Sequence, residues 1–337
     1  MKALTQVQEQ AHAKINLSLD VLRKRVDGYH EVRMIMQSLA LCDEVTLTRI
    51  PAEQFQKEAK EEKSGTETMA GAEPAEQAQP IRLHITEAQG QAEGSLSELP
   101  ADASNLMWRA AALLREHCGI SDGVALSLTK RIPVAAGLAG GSTDAAAVLR
   151  GMNRLFALGL SMEELAELGL RLGADVPYCL QGGTMLAEGI GERLSPLPPA
   201  PACGVLLVKP KRGVSTAAVY GALQLEQLQP SAHPDVEGAL SALARGELSG
   251  LCQCLGNLLE TVTLQKVPEI KEIEERLWQS GADGVLMSGS GPTVFALFAD
   301  ESRLPAAAEA IRESELAALV SDVIETAFFK TSPLAGK

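Results

Sequence analysis

The sequence predicts an α+β fold in two domains, on three observations. Near the N-terminus apolar and polar residues alternate with the period of a strand. In mid-chain a glycine-rich loop joins a strand pattern to a helix pattern. At Pro196 to Pro201 a proline-rich break interrupts the chain, and strands and helices resume beyond it. The break places the boundary between a domain at 1–196 and a second at 197–337.

Taken in order, Ala11, Ala13, Ile15, Leu17 and Leu19 alternate with His12, Lys14, Asn16 and Ser18. A strand with one apolar face follows, and Lys14 and Asn16 project from its other side. A second strand near Glu31 to Leu41 runs on through Glu44 to Thr48, suggesting an antiparallel sheet. From about 51 to 80 the chain is rich in Glu, Gln, Ala, Gly and Lys. It has too little apolar surface to offset its ordering entropy, so it reads as a mobile insertion, or alternatively as a charged helical protrusion. A strand at Ile81 to Ile85, a helix at Asn105 to His117 and a strand at Val124 to Thr129 lead into the glycine loop. Ser161-Met-Glu-Glu164 is a capping box that starts a further helix. Past the break come a strand at Gly204 to Lys209, helices near 235–246 and 268–279, and a strand pair around Gly284 to Phe298. A helix near 304–316 and a last strand at 320–330 complete the chain.

Composition narrows the function. A chain of 337 residues, 46% of them hydrophobic, can bury a substantial core. A net charge of -13 argues against nucleic acid or an anionic membrane as the main partner, since both reward clustered Lys and Arg. It leaves room for a phosphorylated small molecule, which needs only a few local donors. The six cysteines lack the spacing of a zinc site and read as free thiols. The N-terminus has no apolar signal region and the chain no run of about 18 apolar residues, so a cytoplasmic protein is expected.

The most informative stretch is Pro133-Val134-Ala135-Ala136-Gly137-Leu138-Ala139-Gly140-Gly141-Ser142-Thr143, which runs straight into a helical pattern. Glycines let backbone N–H groups approach an anion, and the helix adds unpaired amides and the positive end of its dipole. From the residues alone the stretch is either a phosphate cradle or an ordinary turn. Ser142 or Thr143 is expected to cap the helix. A Walker A loop is absent, and the glycine spacing is not that of a dinucleotide fingerprint.

The wording Pro133-x-x-x-Gly137-Leu138-x-Gly140-Gly141-Ser142 resembles the ATP-binding motif of the GHMP kinases. Ala11 to Leu19 is similar to the first motif of that superfamily, and Met287-Ser-Gly-Ser-Gly-Pro-Thr-Val-Phe-Ala-Leu-Phe298 to its third. Asp27-Gly-Tyr-His30 and Leu172-Gly-Ala-Asp-Val-Pro177 resemble the branch that phosphorylates a cytidine-diphosphate-linked methylerythritol. The resemblance implies a ribosomal protein S5 domain 2-like N-terminal domain and a ferredoxin-like α/β sandwich at the C-terminus. It further implies an ATP-dependent kinase using Mg²⁺, acting on the substrate's 2-hydroxyl in the non-mevalonate isoprenoid pathway. The Mg²⁺ ligands are left open, and a monomer or homodimer is expected.

Asp175, between Gly173 and Pro177, is from the residues alone either a helix cap or a carboxylate held in a turn. The resemblance makes it the catalytic base. Lys14, otherwise a solvated strand lysine, becomes the cation that offsets charge on the incipient alkoxide, with Asn16 orienting the substrate hydroxyl or a phosphate. Asp27 to His30, otherwise a hairpin turn, supplies Tyr29 to stack on cytosine and His30 to read its edge. Tyr220 fits the opposite face and Thr216 a substrate hydrogen bond. Ser288 to Pro292, otherwise a hairpin connection, becomes a loop supporting the site. Two residues depart from the family pattern: Ala139 stands where a glycine is usual and Thr143 where serine is more common. Ala139 is expected to avoid positive φ, which a Cβ disfavours. The rival readings are another kinase of the superfamily, such as a homoserine kinase, and a catalytically silent nucleotide-binding module.

Overall fold

The chain begins with two long strands, β1 (Gln6–Lys24) and β2 (His30–Ile50), followed by β3 (Ile81–Glu87), α1 (Leu106–Cys118), β4 (Gly123–Lys130) and α2 (Gly140–Leu155). It continues through α3 (Met162–Leu170), α4 (Val176–Gln181), β5 (Thr184–Gly189), β6 (Arg193–Pro196), β7 (Gly204–Pro210), α5 (Thr216–Ala222), α6 (Val236–Arg245) and α7 (Leu248–Gln253). Then come β8 (Gly256–Asn257), α8 (Glu260–Lys266), α9 (Glu269–Gln279), β9 (Gly284–Met287), β10 (Val294–Phe298), α10 (Leu304–Arg312) and β11 (Val320–Ala327). The computed structural model describes residues 4–55, 57, 80–87 and 99–329. The tract read as an insertion lies mostly outside the described residues, apart from a helical turn at 52–55.

Local chemistry starts and stops these elements where the sequence signals it. Asn105 caps α1 by accepting from the Met107 amide at 2.8 Å, and Gly119, at φ 63°, ends it. At α3 the capping box is complete: the Glu164 amide donates to Ser161 Oγ, and the Ser161 amide to Glu164 Oε2 at 2.7 Å. The helix expected over 304–316 ends instead at Arg312, because Ser314 starts a separate 3₁₀ turn at Glu315–Ala318 by accepting from the Leu316 amide.

The chain forms two compact units. The first comprises Met1–Ala11, Asp43–Arg131 and Gly141–Leu180. Within it β3 pairs parallel with β4, and β4 pairs antiparallel with Glu44 to Ile50 of β2. The second comprises His12–Cys42, Ile132–Gly140 and Gln181–Lys337. There Val32 to Gln37 of β2 pairs antiparallel with β5, and Ser18 and Leu19 of β1 pair parallel with β8. The second unit also holds an antiparallel sheet in the order β11-β7-β10-β9. Val205 and Leu207 of β7 and Phe295 and Leu297 of β10 pack with Ala13, Ile15 and Leu17 of β1 and with Val236, Ala239 and Leu243 of α6. The alternate residues Leu206, Val208, Ala296 and Phe298 are equally buried, with α9 and α10 packed on this sheet. A strand buried on both faces explains the unbroken apolar runs of β7 and β10. All six thiols are free, and no described helix is long and apolar enough to cross a membrane.

Candidate active site

The loop from Pro133 to Thr143 joins β4 to α2. Ala135, Gly137 and Ala139 have φ of 51°, 72° and 58°, so left-handed residues alternate with others along it. Alternation of right- and left-handed residues is the backbone pattern that turns successive amides toward one side and favours an anion. The expectation that Ala139 avoids positive φ is therefore wrong. An alanine held there costs roughly 1–2 kcal/mol, which the contacts of its neighbours must outweigh. Leu138 is buried and its carbonyl accepts from the Lys14 amide at 3.1 Å. The Gly137 carbonyl accepts from Ser288 Oγ at 3.0 Å. At Gly137 a Cβ would lie 2.4 Å from the Ser288 carbonyl oxygen, so the third motif excludes any side chain there. The capping expectation also needs correction. α2 starts at Gly140, which puts Ser142 and Thr143 inside its first turn rather than before it. There the half-buried Ser142 stands among the amides that a helix leaves unpaired, while Thr143 is buried.

The polar side of β1 is not a solvent face. Lys14 is 5% exposed and Asn16 fully buried, and Lys14 Nζ donates to Asn16 Oδ1 at 2.7 Å. The Asn16 amide in turn faces Met34 Sδ at 3.4 Å. A Cβ built on Gly289 would stand 3.5 Å from both Lys14 Nζ and Asn16 Oδ1. The first motif, the glycine loop and the third motif thus meet within one unit. Ser288 to Pro292 does turn a hairpin between β9 and β10, and it also braces the loop. Three side chains that sequence reasoning missed hold it. Asn257 donates to the Met287 and Gly289 carbonyls, both at 2.8 Å; Thr263 donates to the Ser290 carbonyl; Glu260 accepts from the Met287 amide. None stands in a motif, so no local pattern could reveal them.

Asp175 lies in the other unit, half-buried, immediately before α4. Its carbonyl accepts from the Cys179 amide at 3.0 Å, the first bond of the helix, so Asp175 occupies the cap position. Pro177 does not stop the chain here; it sits in the first turn, where a missing N–H is harmless. Within the first unit a buried cluster has no signature in the sequence. Lys130 Nζ bonds Asp43 and, at 3.0 Å, Asp144 Oδ2, and Asp43 also accepts from the Arg131 amide. Burial pushes the Asp144 carboxyl up despite Lys130 beside it. Burial would lower Lys130, but Asp144 and Asp43 outweigh it and hold the ammonium above its ordinary value. Lys130 and Asp144 bracket the loop, so their bond ties its two ends together.

On the proposed substrate side, Asp27 Oδ1 accepts from the Tyr29 amide at 3.1 Å and Gly28 has φ 88°, which makes the expected tight turn. Tyr29 is 59% exposed. The ring of His30 lies 5.2 Å from that of Tyr220, so these two of the predicted residues are in contact. Burial, with Lys24 adding to it, lowers the His30 pKa and favours a neutral imidazole. Thr216 opens α5, capped by Ser215, and its Oγ1 is 2.8 Å from Ser290 Oγ. Thr216 thereby joins the third motif.

Comparison with known proteins identifies the family. The family models for the GHMP kinases N terminal domain and the GHMP kinases C terminal match residues 105–183 and 239–315. The 4-diphosphocytidyl-2-C-methyl-D-erythritol kinase of Geobacillus kaustophilus (strain HTA426) is 47% identical over 297 residues, which covers 87% of this chain and 89% of that protein. A crystal structure of 4-(cytidine 5'-diphospho)-2C-methyl-D-erythritol kinase matches with a TM-score of 0.69 at 33% identity, covering 96% of this chain and 99% of the other. A homoserine kinase from Cytophaga hutchinsonii shares the fold, with a TM-score of 0.72 at 20% identity over 98% of this chain and 97% of the other. The chain therefore belongs to the GHMP kinases, which use ATP as phosphate donor, and within them to the 4-diphosphocytidyl-2-C-methyl-D-erythritol kinase family.

Proposed function

We propose that the chain transfers the terminal phosphoryl group of ATP to the 2-hydroxyl of 4-diphosphocytidyl-2-C-methyl-D-erythritol, releasing ADP and the 2-phosphate. The observation that carries this reading is the meeting of the buried Lys14–Asn16 pair, the glycine loop and the third motif. Phosphoryl transfer needs little covalent chemistry from the protein. It needs the triphosphate held, developing charge offset and the hydroxyl proton taken. The loop amides and the first turn of α2 suit the phosphates, and Lys14 suits the charge. Asp175 is the proton acceptor in this reading. Mg²⁺ would offset phosphate charge, and the Ser142 hydroxyl, beside the first-turn amides, fits an ion held largely by phosphate oxygens and water. His30, Tyr29 and Tyr220 would take the cytosine and Thr216 a substrate hydroxyl or phosphate. The reaction would run in the cytoplasm as a step of the non-mevalonate isoprenoid pathway, in a monomer or homodimer.

Asp175→Asn tests the assignment. The substitution keeps shape and removes the proton acceptor, so kcat should fall by about 10² or more while ATP binds as before. Retention of more than about a tenth of wild-type kcat would rule out the general-base role.

A further inference from the structure

Arg150 lies in α2, the helix whose first turn follows the glycine loop, and it is 6% exposed. A guanidinium is costly to bury unless its donors are paired. Here Nη1 donates to the Cys179 carbonyl at 3.0 Å, Nη2 to the Gln10 carbonyl at 2.8 Å, and Nε faces Glu9 Oε2 at 3.1 Å. The Cys179 carbonyl belongs to the last turn of α4, the short helix that Asp175 caps at its other end. Helix C-termini present unbonded carbonyls and the negative end of the dipole, and both favour a cation. Arg150 therefore caps α4 from the side of α2, and its fork geometry fixes direction as well as distance. Apolar contact joins the same elements: the space at Gly169 of α3 is filled by Val176 and Leu180 of α4 and by Leu149 of α2.

We infer that Arg150 is a positioning residue for phosphoryl transfer: it holds α4, and with it Asp175, in register with the helix that follows the phosphate loop. The inference rests on the assignment of Asp175 as proton acceptor. A base displaced by even 1 Å loses about 10²-fold in rate, whereas nucleotide binding depends on the loop itself.

The test measures kcat, both KM values and the Kd for ATP for Arg150→Met, Arg150→Lys, Leu155→Ala and Asp175→Asn, at a temperature well below each variant's Tm. Arg150→Met should lose about ten- to a hundredfold in kcat with the Kd for ATP within about twofold of wild type. Arg150→Lys keeps the charge but cannot reach all three partners, so its kcat should fall between the two; it carries the test if Arg150→Met does not fold. Leu155→Ala opens a cavity in the same helix at a buried position that lacks this tie, so it should lower Tm and leave kcat of the folded enzyme unchanged. Wild-type kcat in both Arg150 variants, with only Tm lowered, would overturn the inference while an inert Asp175→Asn left the base standing. An active Asp175→Asn would overturn both.

Discussion

Single residues set the geometry of the loop, and Gly137 is the clearest case. Its φ of 72° and the 2.4 Å between a would-be Cβ and the Ser288 carbonyl oxygen leave no space for alanine. Gly137→Ala should cost roughly 1–2 kcal/mol from the left-handed backbone alone, and more from displacement of the third motif. ATP affinity should fall at least tenfold, measured by direct titration; unchanged affinity would show that the loop does not hold the phosphates. The aromatic pair supplies a second residue-scale test. Tyr220→Ala removes one ring of the His30–Tyr220 contact and should cost roughly 1–3 kcal/mol of base stacking. That is about a ten- to hundredfold rise in KM for the cytidine-linked substrate with KM for ATP little changed. An equal rise in both would place Tyr220 outside the base site. Of the loop's glycines only Gly137 takes such left-handed backbone, and Gly140 and Gly141 open the first turn of α2 instead. The left-handed Ala135 and Ala139 were not legible in the sequence, because tertiary contacts of Leu138 and Gly137 impose them against local preference.

Among elements, hydrogen-bond patterns within a few residues were readable and partnerships across the chain were not. The capping box at Ser161, the cap at Asn105 and the alternation of β1 each follow from local chemistry. By contrast, Asp43, Lys130 and Asp144 stand far apart in sequence, and their pairing depends on β2, β4 and α2 coming together. Glu260 of α8 and Glu274 of α9 are another such pair. Burial, then Glu260, pushes the Glu274 carboxyl up to about 9, and burial also raises Glu260, which braces the third motif through the Met287 amide. The folded pair binds a proton that an unfolded carboxyl, near 4.5, releases. Stability should therefore fall as pH rises from about 4.5 toward about 9. Glu274→Gln mimics the protonated acid and should flatten that slope, with Tm above wild type at the alkaline end and the difference shrinking as pH falls. A Tm gap independent of pH would mean that the pair does not share a proton in the fold.

For the whole molecule, the order of the longer strands and helices was legible, since each carries its own period and punctuation, whereas the short elements α4, β5, β6, α5, α7, β8 and α8 were not anticipated. The composition of the two compact units was not. Each gathers three separate segments of the chain, and β1 and β2 each contribute residues to both. A linear reading sees one break at the prolines and has no means to see strands shared in this way. Nor does the fold select a substrate, since a homoserine kinase matches it with a TM-score of 0.72 and a 4-(cytidine 5'-diphospho)-2C-methyl-D-erythritol kinase with 0.69. In the proposed reading specificity comes from His30, Tyr220 and Thr216 and not from the fold. A site built to hydrogen-bond one base rejects compounds that lack it by about 10⁴ or more.

The most direct measurement is ATP-dependent ADP release with 4-diphosphocytidyl-2-C-methyl-D-erythritol, homoserine and mevalonate side by side. The cytidine-linked compound should turn over, with kcat/KM at least about 10⁴-fold above the other two, which present no base to the His30–Tyr220 pair. Turnover of homoserine or mevalonate at a comparable kcat/KM, or no turnover of any of the three, would contradict the account.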